Sequence, residues 1–184
     1  MPNSAPQPSD DAAALYATLQ AGPLSGQAVT VVRIGGSHTN LASGTGAQEP
    51  ALRSMNIGSR VTAATCFSHT PPSAAELESA IELVEEAVMP ARTMVAEGST
   101  LYTADAGIRQ IALAAGLEAQ PEMQLSLGDV EQTFGRLAAL ALGRPASQDD
   151  LPGDPAFAAT LLILRECMQH LGFDHIVIRS DGVV

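Results

Sequence analysis

The sequence predicts an α/β fold, a mixed sheet of about five strands with helices on both faces. Three observations lead there. Short β-branched runs joined by glycine-bearing turns occupy the early part of the chain, the pattern of an antiparallel meander. Beyond it, apolar residues recur every three or four positions in segments that alternate with short strand-like runs, as amphipathic helices do when they return onto a sheet. The chain has 184 residues, 46% of them hydrophobic, which suffices for the core of one domain.

Residues 1–9, MPNSAPQPS, are polar and proline-rich and read as a flexible lead, so the domain is expected over 10–184. Asp10 and Asp11 then precede an alanine-rich helix over Ala12–Gln20, at the end where acids favour the helix dipole. Ala21–Gln27 is turn chemistry. Three strands follow, Val29–Ile34, Thr39–Ser43 and Ala51–Ile57, the last after a loop with Gly44, Gly46 and Pro50. Ser73 and Glu76 have the spacing of a capping box. Leu77, Ile81, Val84 and Val88 give the helix behind it one apolar face, and Pro90 interrupts its continuation. Leu101–Thr103 predicts a fourth strand, and Gly107–Ala115 a helix that stops at Gly116. A longer helix is predicted from Gly128 to Leu142, with Val130, Phe134, Leu137 and Ala141 facing inward. Asp154 and Pro155 open the last helix, which carries Leu161, Leu164, Met168 and Leu171 and ends at Gly172. His175–Ile178 is the fifth strand. After the first helix the order is β-β-β-α-β-α-α-α-β.

Charge narrows the function classes. Twenty acids against nine bases give a net charge of −11, and every base is an arginine. Such a surface repels phosphate backbones, so neither nucleic acid nor an anionic membrane is an expected partner. The longest uncharged apolar stretch, Ala156 to Leu164, is far too short to span a bilayer, and the first ten residues lack the basic and apolar regions of a secretory signal. A cytoplasmic protein is expected. Cys66, His69, Cys167 and His170 form two C-x-x-H pairs, which zinc would require to meet in space. Core cysteines are the simpler reading. Asp149, Asp150 and Asp154 lack the glycine and terminal glutamate of a calcium loop and read as loop solvation and helix capping.

Val31–Gly44 reads VVRIGGSHTNLASG, a strand, a glycine-rich turn and a second strand. Glycines at such a turn let backbone N–H groups approach an anion closely. The stretch resembles the phosphate-binding hairpin DIGGGSTE of the exopolyphosphatase/guanosine-pentaphosphate phosphatase family. The resemblance continues in order through DDAAALY, RSMNIGSR, the Pro-Pro-Ser lead into the Glu-rich helix, TADAGIRQIA and LPGDPAFAATLLILRECMQHLGFDHIVIRSDG. It thus covers roughly Asp10 to Gly182. It implies the ribonuclease-H-like half-domain from which actin-like ATPases are built in pairs, with the family's first domain missing here.

Departures from the family pattern limit what carries over. Gly35, Gly36 and Thr39 match, but Arg33 stands at the aspartate, Ser37 at the third glycine, His38 at the serine and Asn40 at the glutamate. Asp10 and Asp11 fall at the paired glutamates. The resemblance attaches a divalent cation and water activation to those carboxylates, so no catalytic residue, metal or cofactor is expected here. The expected ligand is a phosphate-containing small molecule on Arg33, Gly35, Gly36, Ser37, His38, Thr39 and Asn40. A plain tight turn, a salt bridge at Arg33 and a simple turn histidine are the alternatives at these positions. A non-catalytic binding or regulatory module is the leading reading. Its rivals are a phosphohydrolase subunit completed by a partner chain and a protein-interaction domain with a vestigial site. A homodimer is expected, through the helix at Ala12–Gln20 or that at Gly128–Leu142.

Overall fold

A computed structural model describes residues 8–180, with side chains from Asp11 onward. Residues 1–7, most of the expected flexible lead, lie outside the described residues. The elements are α1 (Pro8–Ala21), β1 (Ala28–Ile34), β2 (Thr39–Thr45), β3 (Ala51–Met55), α2 (Ser59–Cys66), α3 (Ala74–Val88), β4 (Thr100–Thr103), α4 (Ala106–Ala114), β5 (Glu122–Ser126), α5 (Leu127–Ala141), α6 (Pro155–Leu171) and β6 (His175–Arg179). They form one mixed sheet in the order β3-β2-β1-β4-β6-β5. β1, β4 and β6 run parallel, while β2 and β5 are antiparallel to their neighbours.

The helix layers are unequal. α6 is the central helix: Leu161, Leu162, Ile163 and Leu164 are all fully buried, so it is apolar on every side over that turn. α2, α3, α4 and α5 pack around it, on the face that presents Val32, Leu41, Leu101, Leu125, Ile176 and Ile178. The opposite face receives α1, whose Ala12, Tyr16 and Leu19 bury Val29, Val31 and Ala42 over the β1–β3 half of the sheet. Over β4, β6 and β5 that face is more open. Tyr102, Val177 and Gln124 lie in a row across the three strands, beside the Arg179–Glu122 pair.

Local signals explain most boundaries. Ser73 and Glu76 make the capping box reciprocally, and α3 gives way at Val88 to a 3₁₀ stretch containing Pro90. Asp154 caps α6, and Gly172 closes it at φ +83. In α5 the buried positions are Val130, Thr133, Leu137 and Leu140, with Phe134 and Ala141 partly buried against the core. Two elements go beyond the sequence reading. The sheet has six strands, because Met123 and Leu125 bury one side of the short edge strand β5. Helix α2 follows β3 after a short turn, where the sequence reading has no helix.

Candidate functional site

The β1–β2 turn reverses at residues 35–38, where the Gly35 N–H donates to the His38 carbonyl at 2.9 Å. Its carbonyls then serve α2. The Gly35 oxygen accepts from the Ser59 N–H, and the Gly36 oxygen accepts from both Arg60 and Val61, each at 2.9 Å. These are first-turn donors that have no partner within their own helix. The turn therefore caps α2 from a distance in sequence. The amides of Gly36, Ser37 and His38 are left with no hydrogen-bond partner among the described residues.

Two glycines make that contact close enough. A Cβ on Gly58 would lie 2.6–2.7 Å from backbone atoms of Gly35, Gly36 and Ser37, which cannot move aside. A Cβ on Gly36 would lie 2.4 Å from the Arg60 Nε, so the guanidinium rests against the turn. Arg60 is exposed and pairs with no carboxylate among the described residues.

A cavity of about 240 Å³ opens beside the turn, lined by Asp11, Arg33, Ile34, Gly35, Gly36, Ser37, His38, Asn40 and Asp105. Six of the seven residues expected to contact a ligand thus share one wall. Thr39 does not: it is wholly buried, and its hydroxyl donates to the Ile57 carbonyl at 2.8 Å, fastening the hairpin to the turn before α2. Side chains alternate along β1 and β2, so Arg33 and its cross-strand partner Asn40 project on the α1 side, where Asp11 approaches from the first turns of that helix.

Arg33 carries an ion pair. Its Nε lies 2.9 Å from Asp105 Oδ1, while Asp105 Oδ2 accepts the Ile34 N–H at 2.6 Å. Asp105 is also the N-cap residue of α4, and its own N–H bonds to the Thr103 hydroxyl. Arg33 and the Ile34 amide thus hold the carboxylate, and the Thr103 hydroxyl holds the backbone that carries it. A divalent cation of the kind the resemblance implies does not fit here, because Arg33 sets a guanidinium where that pattern has a carboxylate, and Asn40 a neutral amide beside it. Arg60 and Asp105 were both missed as site residues. Asp105 lies in the stretch TADAGIRQIA without being singled out in the sequence, and its approach to Arg33 depends on β1 and β4 lying side by side.

The other polar candidates settle elsewhere. His69 bonds Glu76 at 2.9 Å and His170 bonds Glu166 at 3.0 Å. Cys167 is fully buried, and burial together with the Glu166 charge pushes its thiol up to about 12. Among the described residues no cluster of three or more His, Cys, Asp or Glu is placed to hold a metal ion. Asp149 and Asp150 hold Arg136, which keeps the Asp149 carboxyl below its ordinary range, and Asp154 accepts the Ala156 N–H. No described helix is long and apolar enough to cross a membrane.

No protein-family model and no curated protein matches the sequence. Solved structures do match the fold. The Ppx/GppA enzyme of Aquifex aeolicus superposes with a TM-score of 0.76 at 18% identity, over 94% of this chain and 60% of that one. An exopolyphosphatase from Cytophaga hutchinsonii gives 0.69 at 16% identity, over 94% and 60%. An exopolyphosphatase-like protein gives 0.67 at 20% identity, over 95% and 62%. The chain spans about three-fifths of the length of these structures, and its fold is the one found within them.

Proposed function

We propose, from the fold shared with Ppx/GppA structures, that this chain is a non-catalytic relative that binds a small phosphate-containing ligand at the 35–38 turn. One observation carries the reading: three consecutive N–H groups, of Gly36, Ser37 and His38, point to no partner while their neighbouring carbonyls are engaged. A row of such amides is an anion-binding concavity. Arg60 rests against the turn, and Arg33 lines the cavity next to it. Guanidinium geometry matches phosphate oxygens.

Hydrolysis lacks its groups. Where the resemblance puts carboxylates, Arg33 carries the opposite charge and Asn40 cannot accept a proton from water. Loss of a general base alone costs roughly 10²–10⁴-fold in rate. A role as a binding or regulatory module follows, and the free thiols of Cys66 and Cys167 suit a reducing, cytoplasmic setting.

Calorimetry with phosphate and pyrophosphate tests the reading. Weak binding is expected, falling as salt rises and lost in Arg60→Ala. An absence of heat at about 10 mM ligand, where less than ~3 kcal/mol of binding would register, sinks the reading and favours an interaction domain with a vestigial site. A second reading rests on Asp11 and Asp105, two carboxylates at the cavity of a chain shorter than the enzymes it matches. A partner chain would then complete a phosphohydrolase. Phosphate release from polyphosphate by the partnered chain, abolished by Asp105→Asn, would support it.

A further inference from the structure

The charges around the cavity say more about the ligand than its phosphate does. Two carboxylates and one guanidinium line it. Asp105 and Arg33 balance each other at 2.9 Å. Arg60 rests against the turn itself and serves the phosphate there. Asp11 is the remainder: an exposed carboxylate on the cavity wall with no ion pair or hydrogen bond among the described residues. A phosphate seated on the amides of residues 36–38 and on Arg60 therefore shares a small cavity with a carboxylate that no cation among the described residues pairs, in a chain whose net charge is already −11. Like charges that close repel, and a cation between them reverses the sign of the interaction.

Accepting the phosphate reading above, we infer that the ligand supplies that cation itself. The site takes a small aminoalkyl phosphate, with its phosphate on the Gly36–His38 amides and its ammonium against Asp11. Size supports a small molecule, because about 240 Å³ lies below the roughly 300–1,000 Å³ typical of sites for drug-sized ligands. The two ends are read by different elements, the anion by the β1–β2 turn and the cation by the start of α1. A simple alkyl phosphate meets only the first.

The test compares O-phosphoethanolamine with ethyl phosphate by calorimetry, in EDTA so that no metal ion substitutes for the ammonium. The amine is expected to bind about threefold to fivefold more tightly, the strength of a partly exposed ion pair. Asp11→Asn should abolish the difference. Glu86→Gln removes the same charge from the distant α3 and should preserve it, separating a local contact from the overall field. Equal binding of the two probes, or a preference that survives in Asp11→Asn, overturns this inference and leaves the phosphate reading intact. Failure of both probes to bind overturns the two together. Flotation with phosphatidylethanolamine vesicles distinguishes sources of the same chemistry: Asp11-dependent flotation assigns a lipid headgroup, and binding of the free compound alone assigns a soluble ligand.

Discussion

Gly36 and Gly58 face each other across the turn, yet they constrain it differently. At Gly58 a methyl group meets backbone on three sides, whereas at Gly36 it meets only the end of the Arg60 side chain. Gly58→Ala should therefore cost about 2 kcal/mol or more, in the range of a strained buried contact. Gly36→Ala should cost under ~1 kcal/mol, because a flexible side chain swings away, and should weaken anion binding by displacing the guanidinium. Denaturant melts and calorimetry on the two variants read these separately. Equal losses of stability would contradict the geometry. The same contrast explains what was legible in the sequence. Gly35, Gly36 and the residues beside them could be read from one short stretch, and their common cavity follows from their adjacency. Arg60 and Asp105 join them only through α2 and β4. Thr39 could not be separated from its neighbours by pattern, since its hydroxyl finds a carbonyl 18 positions away.

Elements were legible where their signals are local. The Ser73–Glu76 box is the clearest, and it has a measurable consequence. The Glu76 carboxylate accepts the Ser73 N–H, meets the His69 ring and accepts the Ser68 N–H, which together lower its pKa from 4.5 to about 2. A carboxyl whose folded pKa is depressed contributes stability that is fully present above its ordinary value and lost as pH falls toward the folded one. Thermal melts of the wild type and Glu76→Gln should differ by a constant amount above about pH 5 and converge between about pH 4.5 and 2. A gap that persists undiminished at pH 2 would rule this out. α2 had no comparable signal. Its sequence SRVTAATC is rich in Thr, Ser and Val, weak helix formers, and its first amides are satisfied by another part of the chain. β5 was hidden for a different reason: an edge strand with two inward apolar residues resembles a loop until β6 lies beside it.

At the scale of the whole molecule, the sequence conveyed that helices and strands alternate around one sheet, and missed how unevenly the helices are shared. The two helices expected to form a dimer spend their apolar sides on this chain's own core. With those sides spent, the open half-sheet bearing Tyr102 and Val177 is the surface we propose for a two-fold pair. Light scattering at about 100 μM in 0.15 M salt, where repulsion is screened beyond about 8 Å, should then give twice the chain mass, and Tyr102→Glu should halve it. A monomer in the wild type would refute the pairing. The capped turn has a consequence of a mechanical kind. The Gly35–Gly36 and Gly36–Ser37 peptide groups each present an oxygen to α2 and, on the opposite edge of the same plane, a hydrogen that no described residue accepts. An anion that polarises those hydrogens strengthens the bonds on the far side of the same peptide planes, and α2 packs directly on α6. With an anion bound as proposed, the turn is a lever with the ligand at one end and the core helix at the other. Binding should slow hydrogen exchange at the Ser59–Val61 amides, which touch no ligand, and unchanged exchange there at saturation would show that the lever does not move.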